Sequence, residues 1–225
     1  MVDPSTPPLI SDRSGVTDSV RVQILATEHW NLLATRSMTW NEAFSRTSIF
    51  LTVLSAAVVA LALVAQATAF GEGFRLFALL VLPIVLLLGL GTYSRLGTVN
   101  EEDAWLVIGM NRLRHAYIEL APELEPYFIT SHHDDLDSIW LTYGGRRWSF
   151  GIVAIFSSTP NIIGVIDAVL AGVLAALIAE ILGSTSGIDL IVGGITALVV
   201  LAMLLVVPFR RVGRFLREYE PRFPH

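Results

Sequence analysis

Hydrophobic residues gather in four long runs, and polar residues occupy the segments before, between and after them. The runs are Ile49–Ala69, Phe74–Tyr93, Ile162–Leu182 and Leu190–Phe209. Each contains 20 or 21 residues, which form a helix of roughly 30 Å, the thickness of the hydrocarbon core of a bilayer. The pattern predicts an all-α integral membrane protein with four transmembrane helices.

Very short, glycine-bearing links join the runs in pairs, at Gly71–Gly73 and Gly183–Gly187. Glycine permits the backbone angles that a reversal within so few residues requires. Two hairpins are therefore expected, and they leave three soluble pieces on one side of the membrane. The predicted organisation is a disordered leader (1–16), cytoplasmic N-terminal helices (17–48), transmembrane hairpin 1 (49–93), a cytoplasmic helical segment (94–161), transmembrane hairpin 2 (162–209) and a basic cytoplasmic tail (210–225).

Arginine is distributed very unequally between the two sides of this topology. Fourteen of the fifteen arginines lie in the three soluble pieces, and only Arg75 lies near the opposite side. Cytoplasmic loops carry the excess of basic residues in membrane proteins. The chain is therefore predicted to have both termini and its central segment in the cytoplasm. The basic tail is expected to lie against lipid headgroups or to serve only as a stop-transfer flank.

Helix signals divide the soluble pieces further. Asp18 is expected to cap a helix that ends near Thr35, and a capping box at Thr39–Glu42 predicts a new helix that continues into the first run. Asn100–Asp103 similarly predicts a helix start after the second run. Pro122 and Pro126 should end that helix, and a short helix is expected over Asp135–Tyr143.

Two further features of the soluble pieces are a short apolar stretch and the positions of the tryptophans. The apolar stretch Trp148–Phe156 is too short to span and is expected to lie in the membrane interface or in a buried core. All five tryptophans lie in the soluble pieces, which favours a packed helical domain built from the N-terminal arm and the central segment together.

Composition excludes several function classes. Mean hydropathy is +0.63, no cysteine is present, and the sequence contains no phosphate loop, dinucleotide fingerprint or nucleophile elbow. We therefore expect a non-enzymatic protein without a cofactor. No basic domain or motif indicates nucleic-acid binding.

Two acids, Asp167 and Glu180, lie within the third apolar run. Ionisable residues are costly in a membrane and usually mark a functional site, here a pore, ion or proton path. The alternative is a hydrogen bond or helix cap at the membrane interface, because each acid lies near one end of the run. The two side chains point about 140° apart on one helix.

The same run carries a ridge of small residues four positions apart: Gly164, Ala168, Gly172 and Ala176. Such ridges allow helix backbones to approach closely in membranes. Self-association through the third span is the favoured interpretation, and packing against Gly193 and Ala197 of the fourth span is the alternative. In the second run, Pro83 predicts a kink or a packing feature.

The loop 131–135 (Ser-His-His-Asp-Asp) has residue types that suit a metal ion. His132, His133, Asp134 and Asp135 are the candidate ligands. Adjacent histidines in an extended loop do not readily chelate one ion, and no ligand spacing of a known motif is present. We therefore predict no metal site, and a helix cap at Asp134 or Asp135.

The segments Gly109–Tyr117, Ala121–Phe128 and His133–Asp135 resemble bacterial multi-span proteins described only as hypothetical membrane proteins. This resemblance brings no activity with it. The expected location is the bacterial inner membrane, with both termini in the cytoplasm. A soluble helix followed by a two-span hairpin also resembles the SLATT-type membrane effectors of bacterial conflict systems, which are thought to oligomerise and perturb membranes; the second hairpin departs from that pattern. The expected function is a homo-oligomeric, pore- or channel-like assembly in the lipid bilayer. The alternative is a membrane-anchored regulatory module whose cytoplasmic domain binds a protein partner.

Overall fold

A computed structural model of the protein describes residues 16–143, 159–185 and 187–225, without the side chains of Trp140 and of residues 207–216. Regular structure in this part of the chain is helical. The elements are α1 (Asp18–Thr68), α2 (Glu72–Leu120), a 3-10 helix (Pro122–Tyr127), α3 (Leu136–Thr142), α4 (Thr159–Ile181) and α5 (Ile188–Glu218).

Within the described residues, four helices contain a segment long and apolar enough to cross a membrane. These are α1, α2, α4 and the first part of α5, Ile188–Val206. The predicted all-helical fold with four helices that could span a membrane is therefore confirmed, and these four helices indicate a multi-pass membrane protein.

The predicted helix breaks beside the first two spans are wrong. α1 is one helix of 51 residues that passes through Thr39–Glu42, and α2 is one helix of 49 residues that passes through Asn100–Asp103. Neither place holds a proline or glycine. Extending a helix by one residue is much less costly than nucleating a new one, so a capping sequence alone does not interrupt it. α2 also continues through Pro83.

The first reversal differs from the predicted glycine turn. Ala69 and Phe70 adopt the left-handed backbone conformation, with φ of 46° and 57°, and the glycines that follow them do not. In the second link, Gly183 has a φ of 90° two residues after the last residue of α4, as expected for a glycine that ends a helix. A left-handed glycine after the last turn is the usual way to end a helix.

The elements before and after the loop 131–135 agree with the sequence predictions. α2 ends at Leu120 and a 3-10 helix begins at Pro122, as the prolines predicted. The carboxylate of Asp135 accepts a hydrogen bond of 2.8 Å from the backbone N–H of Ser138 and caps α3. The leader, the helix end at 144–145 and the apolar stretch 148–156 lie outside the described residues.

The chain divides into two compact units. Unit 1 contains residues up to 36, residues 105–144 and the last five residues, and unit 2 contains residues 37–104 and 145–220. Unit 1 joins the N-terminal arm to the central segment and adds the C-terminal end, which the sequence analysis expected to lie against lipid headgroups or to serve only as a stop-transfer flank. Its buried apolar side chains include Val107, Ile108 and Ile139.

Unit 2 contains the apolar helices. One core cluster combines Phe50 of α1, Val85 and Leu96 of α2 and Ile163 of α4. Helices α4 and α5 approach closely at Gly172, because a Cβ there would lie 2.7 Å from the carbonyl oxygen of Gly193. Small residues are thus required where these two helices meet.

Candidate functional site

Unit 1 brings three histidines together from two elements. His115 lies on α2, and His132 and His133 lie in the loop before α3. One nitrogen of each ring can be chosen such that all three lie within 4.8 Å of one another. The ring centroids of His115 are 5.9 Å from His132 and 6.0 Å from His133. We call these three residues the histidine cluster.

A bend in the chain at His132 places the two adjacent rings close together, with centroids 4.1 Å apart. The hydroxyl of Ser131 accepts a hydrogen bond from the backbone N–H of His133 and supports the bend. The buried amide of Asn111 on α2 donates a 2.9 Å hydrogen bond to the carbonyl oxygen of His133. The loop is therefore held against α2 by its own polar contacts.

Asp134 is the central anchor of the loop and has no exposed surface. Its carboxylate accepts hydrogen bonds from the Arg112 guanidinium at 2.7 Å and from the backbone N–H groups of Arg222 at 3.0 Å and Phe223 at 2.7 Å. Its own N–H donates to the carbonyl oxygen of Phe223. A buried carboxylate tolerates burial when charged and polar donors surround it in this way.

The last five residues of the chain, which we call the C-terminal tail, lie beside the histidine cluster. The Phe223 ring stacks on His115 at 4.3 Å between centroids, and the His225 ring stacks on His133 at 4.8 Å. The backbone N–H of His225 donates a 2.8 Å hydrogen bond to Asp135. Four of the five histidines of the protein are therefore neighbours.

Burial and neighbouring rings affect the cluster electrostatically. Burial, followed by the neighbouring His133, lowers the pKa of His132, and the charge of Glu125 opposes this effect. A lowered pKa favours the neutral imidazole, the form that binds metal ions. The Nδ1 atoms of His115 and His133 are buried and have no hydrogen-bond partner among the described residues.

The structure separates the four residues of the loop that were candidate metal ligands. His132 and His133 belong to the cluster, whereas Asp134 binds Arg112 and the tail, and Asp135 caps α3. The sequence reasoning missed His115 and His225. No spacing rule connects residues so far apart in the chain, and the only signal was the abundance of histidine in this half of the sequence.

The two acids of the third span have different surroundings in unit 2. Asp167 has no exposed surface, and its carboxylate has no hydrogen-bond partner among the described residues. It packs against the backbone of α2, because a Cβ added at Gly89 would lie 1.7 Å from Asp167 Oδ1. Glu180 instead forms a 2.6 Å ion pair with Arg75, and both side chains are about two-fifths exposed.

The small-residue ridge of α4 contacts neighbours within the same chain. Gly164 faces Tyr93 of α2 and Leu204 of α5, and the Tyr93 hydroxyl donates a hydrogen bond to the carbonyl oxygen of Leu204. A Cβ added at Gly193 of α5 would lie 2.9 Å from the Cβ of Ala176. Ala168 and Gly172 are buried as well. This arrangement is the intrachain packing that was the alternative to self-association.

Comparisons with known proteins give no further guide to the function. Neither a protein-family model, nor a curated protein, nor a solved structure matches this chain. What the protein does must therefore be argued from its own two units: an apolar helical unit in which the buried Asp167 has no hydrogen-bond partner among the described residues, and a polar unit with a histidine cluster.

Proposed function

We propose that this protein is a membrane-anchored regulatory module. Its four spans anchor the chain in the inner membrane of a bacterium, and unit 1 is the cytoplasmic part that binds a protein partner. The arginine distribution supports the cytoplasmic placement of unit 1.

Exposed apolar side chains in unit 1 are the observation that carries this proposal. Trp30 is 70% exposed, Tyr127 is 78% exposed and Ile129 is 97% exposed, although all three lie outside the four apolar runs. The sequence analysis expected tryptophans in this part to be packed, and Trp30 is not. Large apolar groups exposed outside a membrane span are typical of protein–protein interaction sites.

Site-specific photo-crosslinking in cells tests the partner. A photoreactive amino acid at Ile129 or Tyr127 should give a crosslinked product of one defined mass. The matched control is the same photoreactive amino acid at Glu123, which is exposed and lies in the same 3-10 helix as Tyr127. This position should not give the crosslinked product. Products at all three positions alike, or none at Ile129 and Tyr127, would exclude a specific partner site here.

The absence of cysteine makes the orientation directly measurable. Single cysteines introduced at Glu123 and at Glu72 should be labelled from opposite sides of the membrane by an impermeant thiol reagent. Glu123→Cys should react only in inverted vesicles, and Glu72→Cys only in intact spheroplasts. Labelling of both from the same side would contradict the two-hairpin topology.

A homo-oligomeric pore is the second candidate function, and Asp167 is the observation that favours it. This carboxyl group is buried in an apolar helix without a hydrogen-bond partner among the described residues, and such costly groups usually mark an ion or proton path. Ion flux through the purified protein in liposomes should then change in the Asp167→Asn variant. The Glu180→Gln variant is measured for comparison. Absence of flux in the wild-type protein would leave the regulatory module as the function.

A further inference from the structure

We propose that His115, His132 and His133 form a binding site for a divalent transition metal ion of the zinc type, and that the bound ion holds the C-terminal tail in its docked position. This inference goes beyond the proposed function, because a module that binds a protein partner does not require a metal ion. It also stands if the protein is a pore.

The ligand set is the first argument. Imidazole nitrogens are preferred ligands of zinc and of neighbouring divalent metals, with bonds of about 2.0–2.1 Å. Two such nitrogens in a tetrahedral site are about 3.4 Å apart. The three nitrogens of the cluster already lie within 4.8 Å of one another, so small rotations of the rings are sufficient.

The unsatisfied nitrogens are the second, independent argument. Nδ1 of His115 and Nδ1 of His133 are both buried and have no hydrogen-bond partner in the described part of the protein. Buried polar atoms are hydrogen-bonded in the great majority of proteins, and an exception calls for an unseen water molecule or ion. A cation bound within the cluster of three imidazoles would supply the missing partner of such nitrogens.

Preorganisation is the third argument. The Asn111 amide fixes the carbonyl group of His133, and Asp134 is fixed by Arg112. The loop therefore does not depend on a metal ion for its bend, and the rings converge before any ion binds. A site whose ligands are already held in place binds with a smaller loss of conformational entropy.

The tail is coupled to the cluster by ring stacking. Phe223 stacks on His115, and His225 stacks on His133. A metal ion that fixes the imidazole planes also fixes the surfaces on which these two rings rest. The ion should therefore reduce the opening of the tail, whose backbone is otherwise held by Asp134 and Asp135.

Metal titration of the full-length protein tests the site. The protein is purified without a polyhistidine tag, placed in nanodiscs of zwitterionic lipid and titrated with Zn²⁺ against a chelating dye. We expect one ion per chain, and binding weakened at least about 100-fold in His115→Gln and in His132→Gln. His132→Gln tests the same site should His115→Gln fail to fold.

His29→Gln is the matched control. His29 is a histidine of unit 1 that stacks on Tyr117 at 6.0 Å and lies outside the cluster. Zn²⁺ binding should be unchanged in this variant. No saturable binding, equal binding by His132→Gln and wild type, or loss of binding in His29→Gln would each overturn the metal site.

Hydrogen exchange tests the coupling to the tail. Zn²⁺ should slow exchange of the Phe223 and His225 amides at least about tenfold in the wild type and in His29→Gln, but not in His132→Gln. Zn²⁺ binding without any change in these two amides would overturn the coupling.

Discussion

Asp134 in unit 1 and Asp167 in unit 2 are both carboxylates without exposed surface, yet their surroundings are opposite. The donors to Asp134 include the guanidinium of Arg112 and the backbone N–H groups of Arg222 and Phe223. The carboxylate of Asp167 has no donor among the described residues. A buried charge with donors organises the structure around it, whereas a buried acid without donors is a cost that packing must offset. The same residue type therefore has a structural role in one unit and is a candidate for function in the other.

Asp134→Asn should produce the largest effect. The amide has one acceptor oxygen where the carboxylate has two, and its NH₂ group would face donors. We expect unit 1 to lose about 3 kcal/mol of stability and the tail amides to exchange rapidly. Hydrogen-exchange mass spectrometry measures both, and Asp137→Asn, an exposed neighbour, should change neither. An unchanged tail in Asp134→Asn would contradict the anchoring role.

Gly89→Ala should destabilise unit 2 by about 2 kcal/mol, because the new methyl group would overlap Asp167 Oδ1 and lie 2.9 Å from Phe50. Gly91→Ala is the matched control, since a Cβ there meets no atom within 4 Å. Adding Asp167→Ala should recover part of the loss in a double-mutant cycle of thermal unfolding in detergent. Additive effects would show that Gly89 and Asp167 are not packed together.

Asp167→Asn should have a smaller effect than either of these. The substitution removes no hydrogen bond to the carboxylate among the described residues, and it removes the free-energy cost of burying an ionisable group. We expect unit 2 to keep its stability or to gain up to about 1 kcal/mol. Thermal unfolding of this variant beside Asp134→Asn compares one substitution in both environments. A large loss of stability would mean that the Asp167 carboxylate has a hydrogen-bond partner, and that its surroundings do not differ from those of Asp134 in this respect.

Glu42→Gln should have the smallest effect, because the ion pairs of Glu42 with Arg95 and Arg46 are solvent-accessible. Hydrogen bonds from Arg95 and then Arg46 lower the pKa of Glu42 from its ordinary value of 4.5. A carboxyl group with a lowered pKa stabilises the folded state above the ordinary value, and this contribution is lost as the pH falls through the lower folded value. The difference in stability between wild type and Glu42→Gln should therefore be present at pH 7 and disappear on acidification below pH 4.5.

Most of the fold could be predicted because its signals are local. The length and composition of a run of about 20 apolar residues are sufficient to predict a spanning helix. The ring of Pro122 is likewise sufficient to predict that the preceding helix ends. The prediction was wrong where two local signals compete. The sequence Thr39–Glu42 matches the capping box of a helix start, but extending α1 through it has a lower free-energy cost than nucleating a second helix.

The candidate site could be predicted only in fragments. His132 and His133 are adjacent in sequence and were noticed for that reason, while the reasoning against a metal site assumed an extended loop. The bend at His132 depends on Asn111 and Asp134, whose partners are far away in the chain. His115 completes the cluster from α2, and His225 of the C-terminal tail stacks on His133; both contacts join residues that are far apart in the chain.

The sequence by itself determined that this is a helical, multi-pass membrane protein, because hydrophobicity and helix length act within each segment. Only the tertiary structure decided that Asp134 has hydrogen-bond partners and that Asp167 has none among the described residues. It also decided that the small residues of α4 meet α5 and α2, and that the C-terminal tail meets the histidine cluster. These are contacts between side chains far apart in the chain, and they depend on close packing and hydrogen-bond geometry, which no local pattern records.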